Sequence, residues 1–170
     1  MKVLVTGAAG QLGTELVSVF ERGGHEVVGT THATLDISQP TAVAECVAAV
    51  KPNFIVHAAA WTAVDACESD AEKAFAVNGT ATASLVSAAE KVGARVAYVS
   101  TDYVFDGSKS SPYVETDAVN PQSVYGASKL AGEQALRPVD LIVRISWVCG
   151  FHGANMVKTI LRIAAAQPEL

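Results

Sequence analysis

Short apolar runs alternate with longer amphipathic stretches along the whole chain. Five apolar runs predict buried strands: Lys2–Thr6, Glu26–Thr30, Phe54–Ala58, Arg95–Ser100 and Leu141–Ile145. The stretches between them carry apolar residues at helical spacing and predict helices from Leu12 to Phe20, Gln39–Val50, Asp70–Val92, Ser123–Leu136 and Asn155–Ala166. Strands that alternate with helices in this way form a parallel sheet covered on both faces. The predicted fold class is therefore α/β, a doubly wound parallel sheet in one domain.

Local signals set the ends of several helices. Gly23 and Gly24 end the first helix, and Ser38 stands before Pro40 as the expected cap of the second. One face of the long third helix carries Ala81, Leu85, Ala88 and Val92. The stretch 106–122 is rich in Gly, Ser, Pro and Asp, which predicts a surface loop.

Composition narrows the class of protein. Half of the 170 residues are hydrophobic and 17% are charged, which favours a packed globule over a disordered chain. The net charge of -5 provides no basic surplus for nucleic acid, and the apolar run before Gly7 is too short for a signal peptide or membrane span. Cys46, Cys67 and Cys149 form no CxxC pair, which argues against a disulfide framework or zinc site. We expect a cytoplasmic protein with neither nucleic acid nor membrane as a partner.

A glycine-rich stretch follows the first strand, where doubly wound sheets bind their ligands. Gly7, Gly10 and Gly13 have the spacing GxxGxxG, one residue longer than the usual dinucleotide fingerprint. Glycines allow a tight turn and a close approach to a pyrophosphate, and the next helix offers free N–H groups to the anion. The alternative is a glycine-rich turn that binds no ligand.

The residues that follow the second and third predicted strands are less specific for one ligand. Thr30–His32 supplies neither the acidic nor the basic residue that would separate NAD from NADP. Asp36 and Ile37 either contact an adenine ring or belong to the turn before the next helix. The small residues Ala58–Ala60 leave room for a flat ligand, although close helix packing explains them equally well. His57 lies in an apolar strand and is expected to be an internal histidine with satisfied hydrogen bonds.

The sequence Tyr125-Gly-Ala-Ser-Lys129 opens the next helix, after a strand that ends near Thr101. Tyr125 and Lys129 are four residues apart and share a helix face. A nearby ammonium group lowers a tyrosine pKa from its usual value near 10, so Tyr125 is a candidate general acid or base. YxxxK alone recurs by chance. In this order with GxxGxxG and a strand-end threonine, it is far more specific.

These motifs resemble the extended short-chain dehydrogenases/reductases and, within that group, the dTDP-4-dehydrorhamnose reductase family. The matching segments are VTGAAGQLGTEL, LDIS, VHAAAWTAVDACES, STDYVFDG, PYVETDAVNPQSVYGASKLAGE and RISWVCG, in the family's order across nearly the whole chain. The resemblance implies that residues 1–170 form a Rossmann-type NAD(P)-binding domain that uses NADPH or NADH. It implies reduction of the C4 ketone of a dTDP-4-keto-6-deoxyhexose, a nucleotide-sugar, in dTDP-L-rhamnose synthesis.

The same resemblance implies roles for individual residues. The catalytic residues are Thr101, Tyr125 and Lys129: Tyr125 donates the proton, Thr101 hydrogen-bonds the same oxygen, and Lys129 holds the ribose. The cofactor-binding residues are Gly7, Gly10, Gln11, Leu12, Gly13, Asp36, Ile37, Ala58, Ala59, Thr62, Tyr125 and Lys129. The substrate-binding residues are Thr101, Asp102, Tyr103 and Trp147. Asn78 matches a position that supports the site in relatives, or makes a plain polar contact.

Several features depart from the family pattern. Cys149 stands where relatives usually have tyrosine, and the sequence given ends at Leu170 although relatives continue with a sugar-binding lobe. We therefore expect an N-terminal part with weak activity, apolar surface exposed at the fifth strand and last helix, and a homodimer for the full-length protein. Some relatives form metal-linked dimers through glutamates. Glu15 occupies the matching place but is better explained as a surface glutamate, so no metal ligand is predicted and Mg²⁺ is not supported.

Two other functions stay open. The first is another nucleotide-sugar enzyme, an epimerase or a 4,6-dehydratase. A dehydratase of this fold needs an Asp-Glu pair after the strand-end threonine, and here Asp102 is followed by Tyr103. The second is a binding subunit like the regulatory subunit of methionine adenosyltransferase, which resembles the same reductases and can keep both motifs.

Overall fold

Five short strands form one parallel sheet in the computed structural model, which describes residues 1–166. They are β1 (Lys2–Thr6), β2 (Glu26–Thr30), β3 (Phe54–His57), β4 (Arg95–Thr101) and β5 (Leu141–Ile145), in the order β2-β1-β3-β4-β5. Thr6 lies opposite both Thr30 and His57, so the carboxyl ends of the three neighbouring strands are level. The direction of the strand order reverses beside β1, the place where such sheets form a ligand crevice. The predicted fold class is confirmed.

Helices cover both faces of the sheet. They are α1 (Gln11–Arg22), α2 (Pro40–Val50), α3 (Val64–Ser69), α4 (Ala71–Phe75), α5 (Ala81–Lys91), α6 (Val124–Glu133) and α7 (Met156–Ala166). On one face Leu4 and Ile55 pack with α2 and α5, and on the other Val3 and Val5 pack against α1. None of the helices within residues 1–166 is long and apolar enough to cross a bilayer.

The long helix predicted for Asp70–Val92 contains a π turn. Asp70 caps α4 by accepting the N–H of Lys73 at 3.1 Å, and α5 ends at Lys91, so the predicted ends are nearly right. Between them the π turn, Ala76–Thr80, inserts one extra residue into the helical register. The separate helix α3 before Asp70 is also absent from the prediction. The apolar pattern continues through both features and therefore could not reveal them.

The predicted cap of α2 is wrong. Gln39 takes the cap position and makes no side-chain capping bond. The Ser38 hydroxyl instead donates to Asp36 Oδ1 at 2.7 Å, and the Ser38 N–H donates to the same oxygen at 2.9 Å. This local turn competes with the cap for the serine side chain. Ser123, in contrast, caps α6 by accepting the N–H of Gly126 at 3.1 Å.

The β5 edge carries exposed apolar side chains, as expected from the sequence. Leu141, Ile142 and Val143 are 51%, 39% and 38% exposed, and the outer edge of β5 pairs with no other strand in residues 1–166. Helix α7 buries none of its residues. An unpaired apolar edge strand is a surface on which another chain can add.

We expect the 170-residue chain to associate through this edge. Light scattering over a concentration series should show an average mass that rises with concentration. The change Ile142→Lys, which places a charge on the edge, should reduce that rise. Val19→Lys alters an exposed valine on α1 and is the matched control, so it should leave the rise unchanged. A single monomeric mass at every concentration contradicts the prediction.

Candidate functional site

The loop between β1 and α1 packs so tightly that two of its glycines cannot be replaced without a shift. Gly7 has a φ of +71°, and a Cβ there would lie 2.8 Å from the Ala59 backbone at the end of β3. A Cβ on Gly13 would overlap the Gly7 carbonyl oxygen. The chain therefore turns directly over the carboxyl end of the sheet, and α1 begins against that turn.

The start of α1 offers free donors beside this loop. The first N–H groups of a helix have no partner within it, here those of Gln11 and Leu12, and Gly10 supplies no side-chain cap. Together with the helix dipole they favour an anion at this place. The Gln11 side chain donates to the Val148 carbonyl at 2.6 Å, which joins α1 to the segment after β5.

A cleft of about 520 Å³, called here the main cleft, opens at the carboxyl ends of the strands. Of the sequence-predicted site residues it is lined by Gly7, Gly10, Gln11, Leu12, Gly13, Ala58, Thr62, Thr101, Asp102, Tyr103, Tyr125, Lys129 and Trp147. The structure thus brings the glycine loop and the YxxxK pair, far apart in sequence, to one cavity. Ser146 and Val148, which the sequence analysis did not single out, also line it.

A second groove of about 460 Å³ lies on the other side of the glycine loop and shares Gly7, Gly10, Ala58 and Ala60 with the main cleft. The remaining predicted residues, Asp36, Ile37 and Ala59, line this groove. Ala59, a predicted cofactor-binding residue, lines the second groove and not the main cleft. The Asp36 carboxylate both closes a turn with Ser38 and faces the groove, so its two predicted roles are compatible.

Tyr125 and Lys129 are almost completely buried at the base of the main cleft. They are 9% and 2% exposed, and the Lys129 Nζ lies 4.0 Å from the centre of the Tyr98 ring. The Tyr103 and Tyr125 rings pack edge to face, with 5.6 Å between their centroids. Burial lowers the pKa of Lys129 to about 7, although the Glu133 carboxylate acts in the opposite direction.

The expected lowering of the Tyr125 pKa is wrong for this structure. Burial raises the pKa of Tyr125, the Thr101 side chain opposes that rise, and Asp102 adds to it. Lys129 is not among the main groups that shift the Tyr125 pKa, and its ammonium group lies over the Tyr98 ring. Tyr125 therefore carries its proton at neutral pH and is suited to donate it.

Asp102 connects the end of β4 with the segment after β5. Its Oδ1 accepts a hydrogen bond from the Thr101 hydroxyl at 3.0 Å, and its Oδ2 accepts one from the Ser146 hydroxyl at 2.7 Å. The Thr101 oxygen also accepts the Tyr103 N–H at 3.2 Å. Trp147 follows with a φ of +51° and a side chain that is 73% exposed at the rim of the cleft.

His57 is an internal histidine, as predicted. Its Nδ1 shares a hydrogen bond of 2.7 Å with the Thr6 hydroxyl, and its Nε2 shares one of 3.2 Å with the Thr82 hydroxyl. Burial, and secondarily the charge of Lys129, lowers the pKa of His57 to about 3. The ring is therefore neutral and contributes packing rather than proton transfer.

Asn78 lies in the π turn and ties three segments together. Its side chain accepts the Trp61 N–H at 2.9 Å and donates to the Trp61 carbonyl and the Ser128 hydroxyl, both at 3.0 Å. Ser128 precedes Lys129 on α6. Asn78 therefore supports the cleft indirectly, by fixing α6 and the loop after β3.

Glu15 accepts hydrogen bonds from the Phe151 N–H and the His152 Nδ1, at 3.1 and 2.9 Å. The hydrogen bond from His152 lowers the pKa of Glu15. Residues 1–166 contain no group of three or more His, Cys, Asp or Glu side chains placed to hold a metal ion. Cys149 is exposed, and its thiol contacts the Trp147 carbonyl at 3.3 Å.

Comparison with known proteins gives a consistent result. Residues 1–170 match the RmlD substrate binding domain family. A dTDP-4-dehydrorhamnose reductase of Burkholderia thailandensis is 46% identical over all of this chain, which covers 58% of that relative. A crystal structure of a Clostridium acetobutylicum dTDP-4-dehydrorhamnose reductase superposes with a TM-score of 0.96 at 43% identity, covering 100% of this chain and 61% of that one.

A Bacillus anthracis dTDP-4-dehydrorhamnose reductase, solved in complex with NADP, superposes with a TM-score of 0.92 at 36% identity. The match covers 98% of this chain and 61% of that structure. The chain thus spans about three fifths of the length of these relatives.

The glycine loop generates a direct prediction. We expect Gly13→Ala to weaken NADPH binding on the order of tenfold or more, because the added methyl displaces the Gly7 carbonyl and with it the loop. Gly23→Ala, at the other end of α1, would place its Cβ 3.3 Å from the Phe20 carbonyl oxygen, which demands a far smaller shift than the overlap at Gly13, and is the matched control. Calorimetric titration measures both affinities, and circular dichroism checks that both variants fold. Unchanged affinity in a folded Gly13→Ala variant contradicts the prediction.

Proposed function

The chain belongs to the RmlD substrate binding domain family, and we propose that it is the dinucleotide-binding part of an NAD(P)H-dependent reductase. Its substrate would be a dTDP-4-keto-6-deoxyhexose, reduced at the C4 ketone in dTDP-L-rhamnose synthesis. One observation carries the proposal: Thr101, Tyr125 and Lys129 line the same cleft as the glycine loop. The similarity to dTDP-4-dehydrorhamnose reductases supports the choice of substrate.

The residues present suit a dinucleotide. Gly7 and Gly13 form a tight turn with no side chains to shield its backbone. The amides of Gln11 and Leu12 would hold the pyrophosphate. The main cleft and the second groove lie on either side of this loop, as the two halves of a dinucleotide require. NADPH or NADH, when bound, would supply a hydride from the nicotinamide ring. Neither Thr31 nor His32 in the second groove selects between the two.

Tyr125 would supply the proton. Because burial keeps its hydroxyl protonated, it would donate to the ketone oxygen as negative charge develops there. The Thr101 hydroxyl would hydrogen-bond the same oxygen after turning away from Asp102, its present acceptor. The Lys129 ammonium would hold the ribose hydroxyls and stabilise the phenolate left on Tyr125.

Residues at the outer part of the main cleft would bind the sugar. Asp102, Tyr103 and Trp147 line it, and the two aromatic rings are 45% and 73% exposed. The rest of the sugar's contacts would come from a substrate lobe outside residues 1–170. Three statements stay predictions. They are the division into an NAD(P)-binding domain at residues 1–170 and a separate substrate lobe, the homodimer of the full-length protein, and its location in the cytoplasm.

A turnover assay tests the proposal. The full-length protein, given a dTDP-4-keto-6-deoxyhexose and NADPH, should oxidise the cofactor and form dTDP-L-rhamnose, identified by chromatography against a standard. The 170-residue chain should bind NADPH but turn over very slowly, because it lacks contacts that orient the sugar. Cofactor binding without any turnover by the full-length protein would contradict the proposal and indicate a binding subunit.

Replacement of the proton donor has a distinct signature. Tyr125→Phe in the full-length protein should lower kcat on the order of a hundredfold or more, the scale expected for loss of a general acid. NADPH affinity should change little, since the ring and Lys129 remain. Tyr113→Phe, in the surface loop and outside the main cleft, is the matched control and should retain turnover. Near-normal turnover by Tyr125→Phe would show that another group supplies the proton.

A further inference from the structure

A buried carboxylate lies on the same helix face as the YxxxK pair. Glu133 is four residues after Lys129 on α6, so the two side chains are neighbours one helical turn apart. Glu133 is only 6% exposed, and it lines neither the main cleft nor the second groove. A buried carboxylate outside the ligand cavities needs a structural or electrostatic reason.

Three hydrogen bonds hold Glu133 in place. Arg144 donates to its two oxygens from Nε and a terminal nitrogen, at 2.9 and 2.7 Å, and the Ser100 hydroxyl donates at 2.5 Å. Ser100 and Arg144 are register partners on β4 and β5. The Glu133 carboxylate is thus held against these two neighbouring strands. The hydrogen bonds that Arg144 donates to Glu133 raise the pKa of Arg144.

Lys129 has few other charges around it. Its neighbours on the strands are His57 on β3, which is neutral, and Tyr98 on β4, whose pKa burial raises. Other polar or ionisable groups around this part of α6 include Tyr125 and Ser128 on α6, Cys67 on α3, Asn78 in the π turn, Thr82 on α5, and Thr101, Asp102 and Tyr103 at and beyond the end of β4. Among the charged groups of residues 1–166, the Glu133 carboxylate raises the pKa of Lys129 against the effect of burial, and the face of the Tyr98 ring also favours the ammonium.

We propose that Glu133 is a positioning residue for Lys129: its carboxylate, one helical turn away and anchored by Arg144 and Ser100, favours the charged form of the buried lysine at the base of the main cleft. The consequence for catalysis rests on the proposed function. The electrostatic effect on Lys129 does not, since it involves only groups of this chain.

The direct test follows the lysine itself. The protein is labelled with ¹³C at lysine Cε and titrated by NMR, and the Lys129 signal is identified by its loss in Lys129→Arg. In Glu133→Gln, which keeps the side-chain shape but removes the charge, the Lys129 midpoint should move to lower pH. The Lys129 pKa falls because removal of the negative charge on Glu133 destabilises the charged ammonium form of the lysine relative to the neutral amine. We expect a shift of roughly half a unit to one unit.

Two further variants guard against trivial explanations. Glu133→Gln leaves the half-buried Arg144 guanidinium without a countercharge. The double variant Glu133→Gln/Arg144→Gln removes that unpaired charge as well. Its Lys129 midpoint should also lie below that of the unaltered protein. Asp140→Asn is the matched control: Asp140 is a buried carboxylate with its own bidentate partner, Arg137. It should lower stability and leave the Lys129 midpoint unchanged.

The outcomes separate this inference from the proposed function. An unchanged Lys129 midpoint in both Glu133 variants, or an equal shift in Asp140→Asn, overturns the inference whatever the enzyme assay gives. A shifted midpoint upholds it even if the protein lacks reductase activity. In an active full-length protein, Glu133→Gln should also move the alkaline limb of the kcat profile to lower pH, which a purely structural defect would not do.

Discussion

The close contact between α6 and its neighbours is the constraint on which the site depends. A Cβ on Gly132 would overlap the Tyr98 hydroxyl, and one on Gly126 would overlap the Tyr103 carbonyl oxygen. On the facing π turn, a Cβ on Gly79 would come within 3.2 Å of the Ala131 side chain. With glycine at these points α6 approaches the end of β4 closely enough for Tyr125 and Lys129 to share a cavity with Thr101.

That closeness also determines the electrostatics. Tyr125 and Lys129 are both largely buried, and burial dominates their pKa values: it raises the pKa of Tyr125 and lowers that of Lys129 to about 7. The Glu133 carboxylate, paired with Arg144, acts against the lowering of the Lys129 pKa. Strongly shifted groups that line a cleft beside a bare glycine loop are typical of a functional site rather than a stabilising ion pair.

Much of this arrangement follows from local sequence. All five strands and the glycine loop were predicted, because buried strands and strand-to-helix turns have strong local patterns. The π turn, the lost Ser38 cap and the direction of the Tyr125 pKa shift were not. Each depends on competition settled by tertiary packing: between helical registers, between two partners for one hydroxyl, and between desolvation and a nearby charge. The sequence also does not distinguish Ala58 and Ala60, which line both cavities, from Ala59 between them, which lines only the second groove.

The central claim is that one dinucleotide spans the glycine loop with its nicotinamide half in the main cleft. A crystal structure of the chain grown with NADPH tests it most directly. We expect the pyrophosphate at the amides of Gln11 and Leu12, the nicotinamide ribose within hydrogen-bond distance of Tyr125 and Lys129, and the adenine in the second groove beside Ile37. A dinucleotide bound in the opposite direction, or away from the glycine loop, would contradict the account.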